Sequence, residues 1–210
     1  MQKNTLDIFL EYISKLGYGS SIAKITSLVE KVSSVTNQSI NEVIRCSDFR
    51  EQELSKEKLE SIIAELRSVM FLDNNNFKNI KLIKSSKNKS SDIYAENLNR
   101  KFDIEVTCLT NTYSRGKDGP SYILDNDKFL REFTGRITTK IDQLKAGVNS
   151  YKMIIFTMNR YPEKALTDDK EYRELIKEAY NQSKLSNDYY LGLLTGDVDF
   201  IYPNLEIKQI

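Results

Sequence analysis

The stretch YKMIIFTMN, Tyr151 to Asn159, is a continuous apolar run, the pattern of a strand covered on both faces. Such a strand requires a layer above it and a layer below it, so the chain must fold as helices over a sheet. The remaining sequence supplies both. From the start to about residue 73, apolar residues recur at helical spacing. Leu6, Phe9, Leu10, Ile13 and Leu16 share a face that Gly17 and Gly19 end, and Ile22, Ile25, Leu28, Val29 and Val32 share another. Asn37 or Ser39 can cap a short helix through Ile44. Leu59, Ile62, Ile63, Leu66 and Met70 line a further helix that stops at an Asn run. These stripes read as core or as partner contact, and no chemistry is assigned to them.

After Asn76 the period changes. IKLIK and SDIYAEN are strand-like, and in KFDIEVTCLT the residues Phe102, Ile104, Val106 and Cys108 alternate with Asp103, Glu105 and Thr107. A loop containing SRGKDGPS follows. A long helix is then expected from about Asp127 to Ala146, with Phe129, Leu130, Phe133, Ile137, Ile141 and Leu144 as its buried seam. Beyond the apolar strand, TDDKEYRELIKEAYNQ reads as a helix capped by Thr167. DYYLGLLTG and VDFIYPN close the chain as strands joined at Gly196-Asp197. The order is helices, then β-β-β-α-β-α-β-β. That order predicts an α/β fold, a central mixed β-sheet flanked by helices behind an N-terminal all-helical region. The division falls between residues 1–76, for DNA contact or dimerisation, and 77–210, the α/β core.

Composition narrows the chemistry. The 210 residues are 40% hydrophobic and 29% charged, enough to bury a core and too little net charge for disorder. No apolar run approaches the ~18–20 residues of a membrane span, and the first residues lack a signal-peptide core. Cys46 and Cys108 fall in a helix and a strand, which suits a reduced, cytoplasmic chain with no membrane partner. The chain has no histidine. That excludes Ser-His-Asp and Cys-His hydrolases, His-ligated zinc and nucleases with a histidine base. Catalysis must then use Asp, Glu, Lys, Tyr, Ser or Thr, and oxygen ligands of that kind suit Mg²⁺ or Mn²⁺.

The net charge of +1 hides an uneven distribution. Lys78, Lys81, Lys84, Lys87, Lys89, Arg100 and Lys101 face only Asp92 and Glu96 between residues 78 and 101. A basic segment beside buried carboxylates suits a polyanion, and the bland reading is a solubilising lysine-rich hairpin. A hairpin through NLNRK would bring the polar faces of SSDIYAEN and FDIEVTCL together. Asp92, Tyr94 and Glu96 would then lie beside Asp103, Glu105 and Thr107. Asp92 and Glu105 could meet at one hard cation, with the Val106 carbonyl as a third oxygen. On the following helix Arg136, Lys140 and Gln143 fall at i, i+4 and i+7, a polar stripe beside the apolar seam. A lysine to stabilise charge and a positioned amide complete the parts needed for phosphodiester hydrolysis. The opposing reading is a solvated strand face and helix flank.

Over roughly Phe77 to Gly196 the sequence resembles the PD-(D/E)XK, or restriction-endonuclease-like, nuclease superfamily. The resemblance rests on SSD around Asp92, IEVT around Glu105 and KIDQL after it. It implies a restriction-endonuclease-like core in which Asp92 and Glu105 bind Mg²⁺. The family lysine two residues after the second acid is here Thr107, and members that move this lysine to the next helix make Lys140 its counterpart. Gln143 matches a recurring glutamine of that helix.

The expectation is therefore a Mg²⁺- or Mn²⁺-dependent endonuclease acting on double-stranded DNA, compatible with a homodimer. Asp92, Glu105, Lys140, Gln143 and Thr107 would form the catalytic set, with Asp92, Glu105 and Val106 as metal ligands. Lys84, Lys87, Lys89, Arg115, Lys117 and Arg136 would contact nucleic acid, and Tyr94 and Tyr113 could line the groove. Two alternatives stand beside it. One is a catalytically inactive nuclease-fold protein for DNA binding or assembly. The other is a helical protein-interaction module without a metal site.

Overall fold

A computed structural model describes residues 4–47, 49–50, 52–53, 55–84, 91–109, 113–115, 122–144, 150–158, 169–196 and 198–205. Four helices come first: α1 (Thr5–Lys15), α2 (Ile22–Thr36), α3 (Ile40–Cys46) and α4 (Lys56–Asn74). Their ends follow local chemistry. Gly17, at φ 89°, takes up the left-handed turn that closes α1, and Asn37, at φ 53°, does so for α2. Of the two candidate caps for α3 it is Ser39 that serves: it accepts from the Glu42 N–H, while Glu42 accepts from the Ser39 N–H at 2.8 Å.

The strands then run β1 (Lys78–Leu82), β2 (Ile93–Asn97) and β3 (Arg100–Cys108) as an antiparallel meander. A short separate hairpin, β4 (Tyr113–Arg115) and β5 (Tyr122–Leu124), precedes α5 (Asn126–Leu144). β6 (Tyr151–Thr157) returns parallel to β3, and α6 (Asp169–Gln182) leads to β7 (Tyr189–Leu194), parallel to β6. β8 (Asp199–Tyr202) closes antiparallel to β7. The main sheet is six-stranded and mixed, in the order β1-β2-β3-β6-β7-β8. The α/β class expected from the sequence is the one observed. The segment around SRGKDGPS departs from a plain loop, because its flanks pair as β4 and β5. Thr167, Asp197 and the NRYPEK segment lie outside the described residues.

β6 occupies the position its apolar run demands. Alternate residues feed two cores, one on each face of the sheet. Met153 and Ile155 join Phe102, Ile104 and Val106 in a core shared with α1 to α4. Ile154 and Phe156 join Leu191 and Leu193 in a second core under α5 and α6. Each fully buried side chain of this size contributes ~1.5–3 kcal/mol. The α5 seam is held by stacking: Phe133 lies on Phe156 with ring centroids 3.7 Å apart, and Phe129 lies on Phe133 at 4.6 Å. No helix among the described residues is long and apolar enough to cross a membrane.

Candidate active site

The β2–β3 hairpin sets the site. Its turn is Leu98-Asn99, with both residues left-handed at φ 50° and 60°, the requirement of a two-residue type I′ connection. That turn fixes a register in which Tyr94 meets Asp103 and Ile93 meets Ile104, so Asp92 comes to face Glu105. Asp92 is threaded between the neighbouring strands. Its N–H donates to the Ile104 carbonyl at 3.0 Å, and its carbonyl accepts from the Ile83 N–H at 2.9 Å. Its carboxylate turns inward and accepts from the Val106 N–H at 2.8 Å.

α5 supplies the third group. Its buried seam of Phe129, Phe133, Ile137 and Leu144 turns the adjoining stripe toward β3. Lys140 donates from Nζ to Glu105 Oε2 at 2.6 Å. The Glu105 side chain is 2% exposed and that of Lys140 19%, so the pair is largely withdrawn from water. Asp92 and Glu105 also share a hydrogen bond. Two carboxyl groups are thus enclosed with one ammonium.

Their protonation reflects this crowding. Burial, then the Asp92 carboxylate, pushes Glu105 up to about 7, while Lys140 pulls the other way. Burial likewise raises Asp92, opposed by Lys140, by the Val106 N–H, by its hydrogen bond with Glu105 and by Lys58 of α4. Like charges this close ionise together only when a cation offsets them.

Around this centre, Gln143 lies one turn beyond Lys140, and its Oε1 is buried with no hydrogen-bond partner. An orphaned buried oxygen is a feature that requires an occupant or a cost. Thr107 is buried two residues beyond Glu105 on the same strand face. The Val106 N–H is engaged by Asp92. Arg136, one turn before Lys140, is exposed and pairs with Glu132 at 4.0 Å, away from the acids. Lys84 is exposed just past β1. Arg115 and Tyr113 lie on β4, while Lys87, Lys89 and Lys117 fall outside the described residues. Tyr94 donates its hydroxyl to Glu96.

One group escapes pattern reading. Lys152, the only charge within the apolar run of β6, is buried directly opposite Asp103. Its Nζ lies 3.4 Å from the Asp103 carboxylate and 2.8 Å from Ser150 Oγ, and the Ser150 hydroxyl donates to Asp103. A charge inside a buried strand was the available signal, since such a group must be paired. Lys58, whose charge acts on Asp92, had none.

The donors fit a hard divalent cation. The two facing carboxylates are hard oxygen ligands, and Mg²⁺ commonly takes one or two carboxylates and completes its shell with water and substrate phosphate. A self-sufficient cage is a different matter: no group of three or more Asp, Glu, Cys or His able to hold a metal occurs among the described residues. Comparison with protein families, with curated proteins and with solved structures gives no match.

Proposed function

We propose that the chain is a metal-dependent nuclease with a restriction-endonuclease-like core, hydrolysing phosphodiester bonds of double-stranded DNA. The observation that carries this reading is the convergence of Asp92, Glu105 and Lys140 from three elements into one enclosed cluster with excess acid. The antiparallel meander followed by a helical crossover to a parallel strand supports the core assignment. Asp92 and Glu105 would hold Mg²⁺ or Mn²⁺, and Gln143 would orient the attacking water. When bound, the cation supplies Lewis-acid stabilisation of charge developing on the phosphate. Glu105 would serve as a ligand in its ionised form, and Lys140, beside it at 2.6 Å, would lie at the edge of the site where it could stabilise charge on the phosphate.

A second reading keeps the fold and loses the chemistry. Thr107 stands where the family pattern has lysine, and Lys140 already has a carboxylate partner at 2.6 Å. A protein that binds DNA without cutting it is consistent with both facts. Calorimetry with Mg²⁺ and Mn²⁺, with and without a DNA duplex, combined with cleavage assays on duplex, junction and flap substrates, separates the readings. Metal binding that disappears in Asp92→Asn and Glu105→Gln, with cleavage down at least ~100-fold, is the expected result. Cleavage that persists in well-folded Glu105→Gln would remove this site from the mechanism. Salt-dependent duplex binding with no cleavage of any substrate would favour the second reading.

A further inference from the structure

A cavity of about 500 Å³ lies between α6 and the end of β8, lined by Lys170, Arg173, Glu174 and Lys177 on one side and Tyr202 and Pro203 on the other. In the sheet β8 stands three strands from β3, on the order of 14 Å at ~4.8 Å per strand. The cavity is therefore separate from the Asp92–Glu105 pair. Its size is that of a small-molecule site, which typically spans ~300–1,000 Å³.

The charges of α6 are sorted by this cavity. The helix as a whole carries three cations, Lys170, Arg173 and Lys177, against four acids, Asp169, Glu171, Glu174 and Glu178. All three cations line the cavity, at i, i+3 and i+7, and of the acids whose side chains are described only Glu174 joins them. Glu171 instead accepts from Asn126 of α5 at 2.9 Å, and Glu178 accepts from Gln182. Lys170 and Glu174 form an exposed i, i+4 pair at 3.9 Å, so the cavity face carries three cations to one acid. Arg173 is also held in place, its guanidinium stacked 4.4 Å from the Phe200 ring centroid. The opposite wall is rigid and aromatic, because the Tyr202 ring packs edge-on against Tyr180 with centroids 5.3 Å apart.

We propose that this cavity binds a nucleotide unit, its phosphate on Lys170, Arg173 and Lys177 and its base against Tyr202 and Pro203. Three cations at one side, Arg173 among them held on the Phe200 ring, and an aromatic face at the other match the two halves of that ligand, a phosphate and a π-surface. The unit can come from a free nucleotide or from a strand. Neither source needs the carboxylate site, so this inference survives if the nuclease reading fails.

The test uses the full chain in EDTA, which silences any metal-dependent site. Calorimetry with dAMP and fluorescence anisotropy with a short labelled single-stranded deoxyoligonucleotide are compared for wild type and the double variant Lys170→Glu/Lys177→Glu. Both substituted side chains are exposed, so the fold is expected to persist, checked by circular dichroism. Saturable wild-type binding that weakens at least about tenfold in the double variant is the expected result, the loss of two charge-assisted contacts. Binding of dAMP alone identifies a free-nucleotide site, and binding of the oligonucleotide alone identifies a strand-holding one. The proposal is overturned by wild type that binds neither, by a double variant that binds as well as wild type, or by inorganic phosphate competing as tightly as dAMP.

Discussion

Glu105 titrates at about 7 because it is buried and faces Asp92. In the unfolded chain it returns to the ordinary glutamate range near 4.5. Between those two values the folded state holds a proton that the unfolded state has released. Stability of the metal-free protein therefore falls as pH rises through this window, and the contribution is complete only below it. Raised Asp92 acts in the same direction. Glutamine at position 105 keeps the neutral shape and cannot ionise. Glu105→Gln is accordingly expected to flatten the decline in melting temperature between pH 5 and 8, and to be more stable than wild type at the upper end. Thermal unfolding in EDTA across that range checks it. A decline as steep in the variant as in wild type would show that Glu105 is not the titrating group.

The β2–β3 hairpin shows what elements contribute. Leu98 occupies a left-handed position with its side chain 47% exposed, so it carries the conformational cost of φ 50° without burying its side chain. Asparagine tolerates that region and is preferred at this place in a type I′ turn. Leu98→Asn should stabilise the fold by roughly 0.5–1 kcal/mol, read as a higher urea midpoint at unchanged m-value. A lower midpoint would mean that Leu98 makes a contact outweighing the strain. The hairpin was legible in sequence because period-2 alternation on both strands excludes every slip by an odd number of residues, and the short NLNRK connection limits the rest. The same logic placed Lys140 beside β3, since it follows the α5 seam residue Ile137 by less than one turn. What sequence did not reveal depends on partners set at a distance. β4 and β5 have three residues each, too short to carry a period. The Asp103–Ser150–Lys152 cluster exists only once β3 and β6 pair in parallel, and that register is fixed by packing on both faces rather than by any local pattern. Lys58 reaches the potential at Asp92 from α4, a layer away.

At the scale of the molecule, the sheet is held between two apolar cores that share its central strands, and the one formed with α1 to α4 is continuous from Phe9 to Ile201. The chain shortened to residues 77–210 would bare one whole sheet face, including Ile93, Phe102, Ile104, Val106, Met153 and Ile155. At ~1.5–3 kcal/mol for each side chain, losing the cover over these six costs roughly 9–18 kcal/mol. That is as large as the ~5–15 kcal/mol by which a typical domain is stable. The shortened chain is expected to lack a cooperative unfolding transition, to bind hydrophobic dyes and to aggregate. It would also lose Lys58, one of the charges that holds Asp92 down. Expression of residues 77–210, followed by near-UV circular dichroism and urea titration, decides the point. A soluble product with a sharp transition would mean that the helical region is a detachable unit. A collapsed product would mean that the N-terminal helices are the second wall of the sheet that carries Asp92 and Glu105, and that any partner binding to them must act on their outer surface.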